Sequence, residues 1–199
     1  MTAQSDDLFL EAMARFRAIL ERARQTSLQE PMAVTLATAD RDGMPSARVV
    51  LLRQLDERGA VFYTNTGSAK AAQIADNPHA ALCFHWDELR EQIRVVGDVE
   101  HVSDAQADEY WVKRPRESQI GAWASQQSAI LDARETLENK LEQYEQRFAD
   151  RDVPRPDFWT GYRVVPSLIE FWLGQPARLH ERIVYRKQGD RWEKRLLFP

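Results

Sequence analysis

Short apolar segments separated by turn residues fill the chain from Met32 to His101, and this pattern constrains the fold more than any other feature. Short apolar or alternating runs indicate β-strands, and the Asp and Gly residues of Asp40–Gly43 and Asp56–Gly59 are typical of tight turns. Five strands within about seventy residues, mostly linked by tight turns, favour an antiparallel barrel over a parallel sheet. The predicted strands are Met32–Ala39, Val49–Leu52, Ala60–Tyr63, His79–Trp86 and Glu91–His101.

Helical patterns flank this region. Apolar residues recur every three or four positions in residues 6–26, as in a helix that packs on its own domain; a partner helix or a lid is the alternative. Ser103 and Gln106 form a capping box for a helix that ends before Pro115, and Ser118–Ser125 suits a short helix or turn. Residues 130–149 have the pattern of a second amphipathic helix.

The C-terminal part of the chain returns to strand-like patterns. Its predicted strands are Tyr162–Val165, Ile169–Trp172, Arg178–Arg186 and Trp192–Leu196. The predicted fold class is therefore mainly β with flanking helices (α+β), in one domain of residues 1–199, with the 130–149 helix inserted before the C-terminal strands.

Charge and composition argue against several classes of protein. The 27 Lys and Arg residues against 31 Asp and Glu give a net charge of −4, whereas nucleic-acid proteins usually have a basic excess. No apolar run approaches the length of a membrane span, and the N-terminus lacks the pattern of a signal peptide. The single cysteine, Cys83, excludes an internal disulfide and fits a reducing compartment. We expect a cytoplasmic protein with no membrane or nucleic-acid partner.

The stretch Arg48–Lys70 combines residue types that bind phosphate. Its two strands are predicted to pair across the Asp56–Gly59 turn, and the second ends in a polar cluster. Ser68 is the predicted N-cap of a helix that stops before Pro78, with Lys70 in its first turn. Free backbone N–H groups and the helix dipole both favour an anion at such a terminus. We interpret this stretch as the binding site of a phosphorylated flavin.

Two further basic clusters have both a functional and a structural interpretation. Arg178, His180 and Arg182 alternate along a predicted strand and so share one face, which suits an anion site or a solvated edge strand. Residues 113–116, followed by Ser118, place arginines and a hydroxyl near a proline-fixed helix end, which suits a phosphate. A solvated helix terminus is the alternative there, and the residues alone favour it.

A metal site is considered but not predicted. His79, Cys83 and His85 share one face of a predicted strand, but no fourth ligand follows at zinc-finger spacing. Cys83 lies in an apolar run, so a buried structural thiol is preferred. The chain also lacks GxGxxG, GxxxxGK[ST], HExxH and GxSxG, which disfavours Rossmann, P-loop, zinc-peptidase and serine-hydrolase sites.

Several runs together resemble the pyridoxamine 5′-phosphate oxidases, in the same order from about residue 9 to Pro199. The combination of RPRxSQIGAW with EFW and RLHxR is specific, although any single run is not. The runs are RVVLLR (48–53), VFYTN (61–65), S-x-K (68–70), RPRESQIGAW (114–123), QQS (126–128), IEFW (169–172) and RLHER (178–182).

This resemblance implies an FMN-binding split β-barrel of antiparallel Greek-key type, dimeric, with FMN at the subunit interface. It implies oxidation of pyridoxamine and pyridoxine 5′-phosphate to pyridoxal 5′-phosphate, with O2 reduced to hydrogen peroxide. The residues that match flavin contacts are Arg48, Val49, Val50, Leu51, Leu52, Arg53, Tyr63, Thr64, Ala69, Lys70, Gln92, Gln127, Ser128, Trp172 and Arg182. Those that match substrate contacts are Arg53, Tyr110, Arg114, Ser118, Arg178, Leu179 and His180, of which Arg178 and His180 are the expected catalytic residues.

The chain departs from the family pattern at two of these positions. Arg53 stands where lysine is usual, and Ala69 stands where arginine is frequent, so one phosphate donor is missing. The chain also starts close to the first predicted helix, without the longer arm that covers the site in some members of the family, so a lid function there has no support from the sequence. Two alternative functions remain open from the sequence: a related oxidase of the phenazine-biosynthesis type, and a flavin-binding protein without turnover.

Overall fold

The computed structural model describes residues 3–199, with side chains from Asp7 onward, so residues 1 and 2 of the predicted 1–199 domain lie outside the described part. The helices are α1 (Ala3–Arg24), α2 (Ala69–Asp76), α3 (Asp104–Val112), α4 (Arg116–Ala124) and α5 (Arg134–Arg147). The strands are β1 (Ala33–Ala39), β2 (Pro45–Leu51), β3 (Gln54–Leu55), β4 (Ala60–Asn65), β5 (His79–Trp86), β6 (Glu91–His101), β7 (Trp159–Leu173), β8 (Glu181–Gln188) and β9 (Arg191–Leu197).

One antiparallel sheet contains all the strands of the described residues. Its order is β2-β1-β5-β6-β7-β4-β3, with β8 pairing with β7 and β9 with β8. The sheet curls into a half-barrel that is flanked by helices. This arrangement confirms the prediction of a mainly β protein with antiparallel pairing and flanking helices.

The long strand β7 organises the sheet. Along one edge it pairs with β6, and along the other it pairs first with β4 and then with β8. The sequence predicted two separate strands, 162–165 and 169–172. The strand instead continues through Pro166 at a shift in register with β6, a position where a proline is tolerated. Gly97 lies opposite, and a Cβ there would approach the carbonyl oxygen of Val165 to 1.8 Å.

The prediction that the strands around Asp56–Gly59 pair with each other is wrong for β2. β2 pairs with β1, and of the chain just before the turn only the two residues of β3 pair with β4. The turn itself forms, since the Asp56 carboxylate accepts hydrogen bonds from the backbone N–H of Arg58 (2.9 Å) and Gly59 (3.0 Å). An apolar run sets the strand conformation but not the partner strand.

Three hydrophobic clusters hold the helices against the sheet, the smallest formed by Val61, Val102 and Ala107. Met13, Phe16 and other residues of α1 are buried against the main core, which confirms that this helix packs on its own protein. A second cluster, which includes Trp111, Phe148 and Trp159, lies under α3–α5. The second cluster fixes the helices that border the site described below.

The helix boundaries differ modestly from the predictions. α1 ends at Arg24 rather than at residue 26, and α5 begins at Arg134 rather than at residue 130. The chain turns before α5, where Ser128 has a φ of +72° and the N–H of Ala129 bonds to the Gln126 carbonyl. Within residues 3–199, no helix is both long and apolar enough to cross a membrane.

Candidate functional site

A cavity of about 330 Å³ lies where β2 and β4 meet α2 and the connection between α3 and α4. It gathers most of the predicted flavin and substrate residues, although these come from distant parts of the sequence. From the predicted flavin set it contains Arg48, Val49, Val50, Leu51, Arg53, Tyr63, Thr64, Lys70 and Gln127. From the predicted substrate set it contains Arg53, Tyr110, Arg114 and Ser118.

Four cations line this cavity: Arg48, Arg53, Lys70 and Arg114. Within residues 7–199, none of them forms an ion pair with a carboxylate. Burial lowers the pKa of Arg48 and of Lys70, and the nearby charge of Arg48 lowers the pKa of Lys70 further. Burial likewise lowers the pKa of Arg114, and the charge of Arg53 adds to that effect. Because these like charges are partly withdrawn from water, an anion in the cavity would be stabilised.

Lys70 is positioned by neutral polar groups. Its Nζ donates to Thr64 Oγ1 (3.2 Å) and to Gln127 Oε1 (3.0 Å), and Thr64 Oγ1 donates to the same Gln127 oxygen (2.8 Å). The backbone N–H of Ala69 donates to Ser128 Oγ (3.1 Å). The loop before α5 is thus tied to the N-terminus of α2, and it brings amide and hydroxyl groups beside the cation.

Ser68 occupies the predicted N-cap position of α2, but its side chain makes no capping bond. Its hydroxyl is fully buried and has no hydrogen-bond partner among the described residues. The Nε of Arg114 is likewise buried and unpaired within that part of the chain. Buried polar atoms are rarely left unpaired, so both are consistent with a site that binds a polar ligand.

Aromatic rings form the wall beside Arg114. Tyr63 is nearly parallel to Tyr110, with ring centroids 4.2 Å apart, and to Trp159 at 5.0 Å. The Arg114 guanidinium lies 4.7 Å from the centre of the Trp159 ring and donates to the Ser118 carbonyl oxygen (2.8 Å). Burial raises the pKa of Tyr63 to about 12, so its phenol stays neutral. The rings and the cation hold one another in a fixed orientation.

A second group of predicted residues lies on β6, β7 and β8. Trp172 is in register with Gln92 on one side and with Arg182 on the other. The His180 ring lies 4.5 Å from the Trp172 ring, and its Nδ1 accepts a hydrogen bond from the Gln175 backbone N–H (3.2 Å). This backbone contact fixes the orientation of the imidazole.

Arg182 is held by a carboxylate that the sequence analysis did not identify. Its Nε donates to Glu170 Oε1 (2.8 Å), and Arg94 donates to the other oxygen of Glu170 (2.6 Å). The Glu170 side chain is only 3% exposed. Arg182 therefore contributes to an ion-pair network around a buried carboxylate, unlike the four cations of the cavity.

The prediction that Arg178, His180 and Arg182 alternate on one strand is wrong. Arg178 lies in a short 3₁₀ turn, Pro176–Arg178, and β8 begins only at Glu181. Ala177 and Arg178 have φ values of +53° and +62°, which do not occur in a strand. The proline and this left-handed turn interrupt the strand, so strand alternation does not apply to these residues.

The two groups are far apart within one chain. Tyr63 pairs with Gly161 near the start of β7, whereas Arg182 pairs with Trp172 near its end. Eleven positions of strand correspond to roughly 36 Å along the chain path. One copy of the chain therefore presents two separate groups of predicted site residues.

Other predicted residues lie outside the cavity. Leu52 is buried in the main core, the Ala69 side chain is exposed, and Ser128 borders a neighbouring cavity. Arg178 and Leu179 are exposed near His180. Their assigned roles remain predictions.

The considered metal cluster gains no support. Cys83 is only half-buried, on the sheet face opposite the core residues Leu82 and Phe84, whereas a buried structural thiol was preferred from the sequence. Burial still raises the pKa of its thiol. Among the residues that the structure describes, no group of three or more His, Cys, Asp or Glu side chains could hold a metal ion.

Several residues around the two groups were missed. Thr38 and Gln73 contact Arg48, Pro115 lines the cavity, and Trp159 is the first residue of β7. Of these, only Pro115 lay in a motif that had been singled out. Thr38 and Gln73 are uncharged and follow no recognisable spacing, so the sequence does not single them out. They contact Arg48 only because the fold brings these segments together.

The chain matches known proteins over nearly its whole length. Residues 20–148 match the family model of pyridoxamine 5′-phosphate oxidase, and residues 159–199 match that of the pyridoxine 5′-phosphate oxidase C-terminal dimerisation region. The pyridoxine/pyridoxamine 5′-phosphate oxidase of Myxococcus xanthus (strain DK1622) is 50% identical over 189 residues, which cover 95% of this chain and 92% of that protein.

Two solved structures are also similar. PhzG from Burkholderia lata 383, in complex with tetrahydrophenazine-1-carboxylic acid, superposes with a TM-score of 0.87 at 31% identity, over 96% of this chain and 92% of PhzG. A pyridoxamine 5′-phosphate oxidase-related, FMN binding protein from Nostoc punctiforme PCC 73102 shares the fold, with a TM-score of 0.75 at 21% identity over 94% of this chain and 96% of that one. This chain belongs to the pyridoxamine 5′-phosphate oxidase family and has the split-barrel fold of its structural neighbours.

Proposed function

We propose that this chain is an FMN-dependent oxidase that converts pyridoxamine and pyridoxine 5′-phosphate to pyridoxal 5′-phosphate and reduces O2 to hydrogen peroxide. The observation that carries the proposal is the cluster of four cations in the cavity, none of which pairs with a carboxylate among residues 7–199. It divides into Arg48 with Lys70 on one side and Arg53 with Arg114 on the other. Two phosphoesters, one on a cofactor and one on a substrate, match two pairs of cations.

The Arg48–Lys70 side suits the FMN phosphate. Thr64, Gln127 and Ser128 surround this side with hydroxyl and amide groups, and the first turn of α2 contributes its backbone N–H groups. The unpaired, buried Ser68 hydroxyl close to this helix start fits a ligand rich in acceptor oxygens. When bound, the flavin supplies an acceptor for the hydride that leaves the substrate carbon bearing the amine or hydroxyl.

The Arg53–Arg114 side suits the substrate phosphate. The planar guanidinium of Arg114 is oriented by the Ser118 carbonyl and the Trp159 ring. Tyr110 and Ser118 border the same cavity and offer hydroxyl groups. A phosphate bound on this side would fix the position of the pyridine ring, because binding energy from a group remote from the reacting carbon can orient the reacting atoms.

His180 and Arg178 would orient the polar groups of the pyridine ring. Because His180 Nδ1 accepts the Gln175 N–H, the neutral imidazole carries its proton on Nε2. In this tautomer Nε2 donates a hydrogen bond to a substrate oxygen or nitrogen and does not accept a proton. Arg178, which is exposed beside it, adds a fixed positive charge.

A homodimer would bring the two groups of residues together. Within one chain Trp172, Arg182 and His180 lie far along β7 from the cation cluster. A second copy related by a two-fold axis can supply its own Trp172 group to the first copy's cavity, and reciprocally. The match of residues 159–199 to a dimerisation region supports this arrangement. FMN would then bind at the subunit interface.

Peroxide release tests the proposal. The flavin-loaded protein should produce hydrogen peroxide with pyridoxine 5′-phosphate and much less with unphosphorylated pyridoxine. An Arg114→Gln variant should lose most of this preference, whereas Lys113→Gln, a control that removes an exposed neighbouring cation, should keep it. A protein that binds FMN but yields no peroxide with either phosphate ester would contradict the proposal and support a flavin-binding role without turnover.

The similarity to PhzG gives the phenazine-type oxidase a specific basis. A tricyclic carboxylate has no phosphate, so it would leave the Arg53–Arg114 side without its matching group. Faster turnover of a tetrahydrophenazine carboxylate than of pyridoxine 5′-phosphate would favour this second function.

A further inference from the structure

We propose that Gln73 is a positioning residue that aims Arg48 at the cofactor phosphate while leaving its charge uncompensated. Gln73 lies on α2 and does not line the cavity. The proposal rests on the proposed FMN site, and it assigns a role to the neutral contacts behind that site. What matters chemically is that position 73 is an amide rather than a carboxylate.

A connected set of hydrogen bonds joins Gln73 to Arg48. The Arg48 guanidinium donates to Thr38 Oγ1 (2.5 Å) and to Gln73 Oε1 (3.2 Å). Thr38 Oγ1 in turn donates to the same Gln73 oxygen (2.6 Å), and Gln73 Nε2 donates to Ser46 Oγ (3.0 Å). Arginine has no acceptor, so the amide oxygen must face Arg48 and the orientation of the Gln73 side chain is determined.

All of these partners are neutral. Thr38 is only 3% exposed, and Arg48 and Gln73 are half-buried, so this network is largely shielded from water. A glutamate at position 73 would accept the same bonds from Arg48 and Thr38, but it would also form an ion pair with Arg48. The positive charge that Arg48 presents to the cavity would then be largely cancelled.

The charge of Arg48 does reach the cofactor side of the cavity. It acts on Lys70, whose pKa is lowered first by burial and then by Arg48. Since neither cation pairs with a carboxylate of the described side chains, both are available to one phosphate, and a charge-assisted hydrogen bond is stronger than a neutral one. Neutral partners thus fix the position of the Arg48 side chain and leave its positive charge uncancelled.

The test compares FMN with riboflavin, which lacks the phosphate. Binding is measured by quenching of flavin fluorescence on the full chain freed of flavin, for the wild type, Gln73→Glu and Ala75→Glu. Ala75 is exposed on the same helix, about 200° around the axis from Gln73, so Ala75→Glu adds the same charge without reaching Arg48. We expect Gln73→Glu to weaken FMN binding roughly tenfold to a hundredfold, the loss of one charge-assisted bond, with riboflavin binding unchanged.

Two further variants keep the test decisive if Gln73→Glu folds poorly. Gln73→Met and Thr38→Val remove hydrogen bonds to Arg48 without adding charge, and each should weaken FMN binding several-fold while sparing riboflavin. The salt dependence of FMN affinity should become shallower in Gln73→Glu but not in Ala75→Glu.

Three outcomes would overturn the role of Gln73. These are wild-type FMN affinity in Gln73→Glu, equal weakening in Ala75→Glu, and equal weakening of FMN and riboflavin in any folded Gln73 variant. Wild-type protein that binds neither flavin would instead refute the proposed FMN site itself, and with it this role.

Discussion

Replacing Gly161 with alanine should strain the aromatic wall of the site. Gly161 lies on β7 opposite Tyr63 of β4. A Cβ at this position would lie 2.7 Å from Tyr63 Cε1 and 2.8 Å from Val102 Cγ2, closer than any real Cβ contact. The Tyr63 ring cannot move away freely, because Tyr110 and Trp159 pack against it.

The magnitude follows from two opposing effects. Gly→Ala at a relaxed position stabilises a protein by about 0.4–1 kcal/mol through the unfolded chain. Overpacking a filled site costs about 1–3 kcal/mol, so the clash at Gly161 decides the sign. The difference is a net loss of about 1 kcal/mol, which lowers the melting temperature of a protein of this length by roughly 2–4 °C.

Differential scanning calorimetry provides the assay, with Gly121→Ala as the matched control. Gly121 lies within α4, and a Cβ there meets nothing within 4 Å, so this variant should melt at or slightly above the wild-type temperature. Gly161→Ala should also raise the KM for the phosphorylated substrate, because Tyr110 moves with Tyr63. A Gly161→Ala protein that melts at or above the wild-type temperature would refute this account of the aromatic wall.

Three other predictions concern the charged groups. Glu170→Gln should lower the free energy of unfolding by about 1.5–3 kcal/mol in urea titrations, because Arg182 loses its buried carboxylate; an unchanged value would contradict the network. Burial acts to raise the pKa of Asp56, but hydrogen bonds, with that from Arg163 the largest, outweigh it and lower the pKa below 3.8. The ionised Asp56 carboxylate therefore stabilises the fold above that pH, and this contribution is lost as the pH falls through the folded-state pKa. The difference in the free energy of unfolding between the wild type and Asp56→Asn should therefore shrink in acid but not in base. Because the pKa of Lys70 is lowered from 10.5, FMN affinity measured by fluorescence should fall at alkaline pH in the wild type but stay flatter in Lys70→Arg, which keeps its charge.

Local sequence patterns predicted the strands of residues 32–101 and the helices well. They failed for features that depend on distant segments of the chain. β2 pairs with β1 rather than with β4, and β7 continues through Pro166 as one strand. Neither feature is encoded locally, since pairing depends on which strands the whole sheet brings together. The left-handed turn at Ala177 and Arg178 was also missed, because a non-glycine residue with positive φ leaves no mark in the sequence.

In the candidate site, the sequence predicted the cations but not the residues that hold them in place. Lys70 and Arg114 stood out as cations near helix ends and Arg48 as a cation beside a predicted strand, and the cavity does bring them together. The groups that hold cations in place, Gln73 behind Arg48 and Glu170 behind Arg182, were missed. Their roles exist only once distant segments have packed.

Mixed dimers test most directly whether two copies of the chain build each oxidase site. Arg114→Gln damages the cavity, and Arg178→Gln damages the exposed group near His180, so each variant alone should release little peroxide from pyridoxine 5′-phosphate. Chains carrying different affinity tags and one variant each are co-expressed, and dimers that contain both are isolated. If the sites are shared between subunits, one of the two sites in a mixed dimer is intact and peroxide release returns to about half the wild-type rate. Mixed dimers as inactive as the two parents would contradict the account.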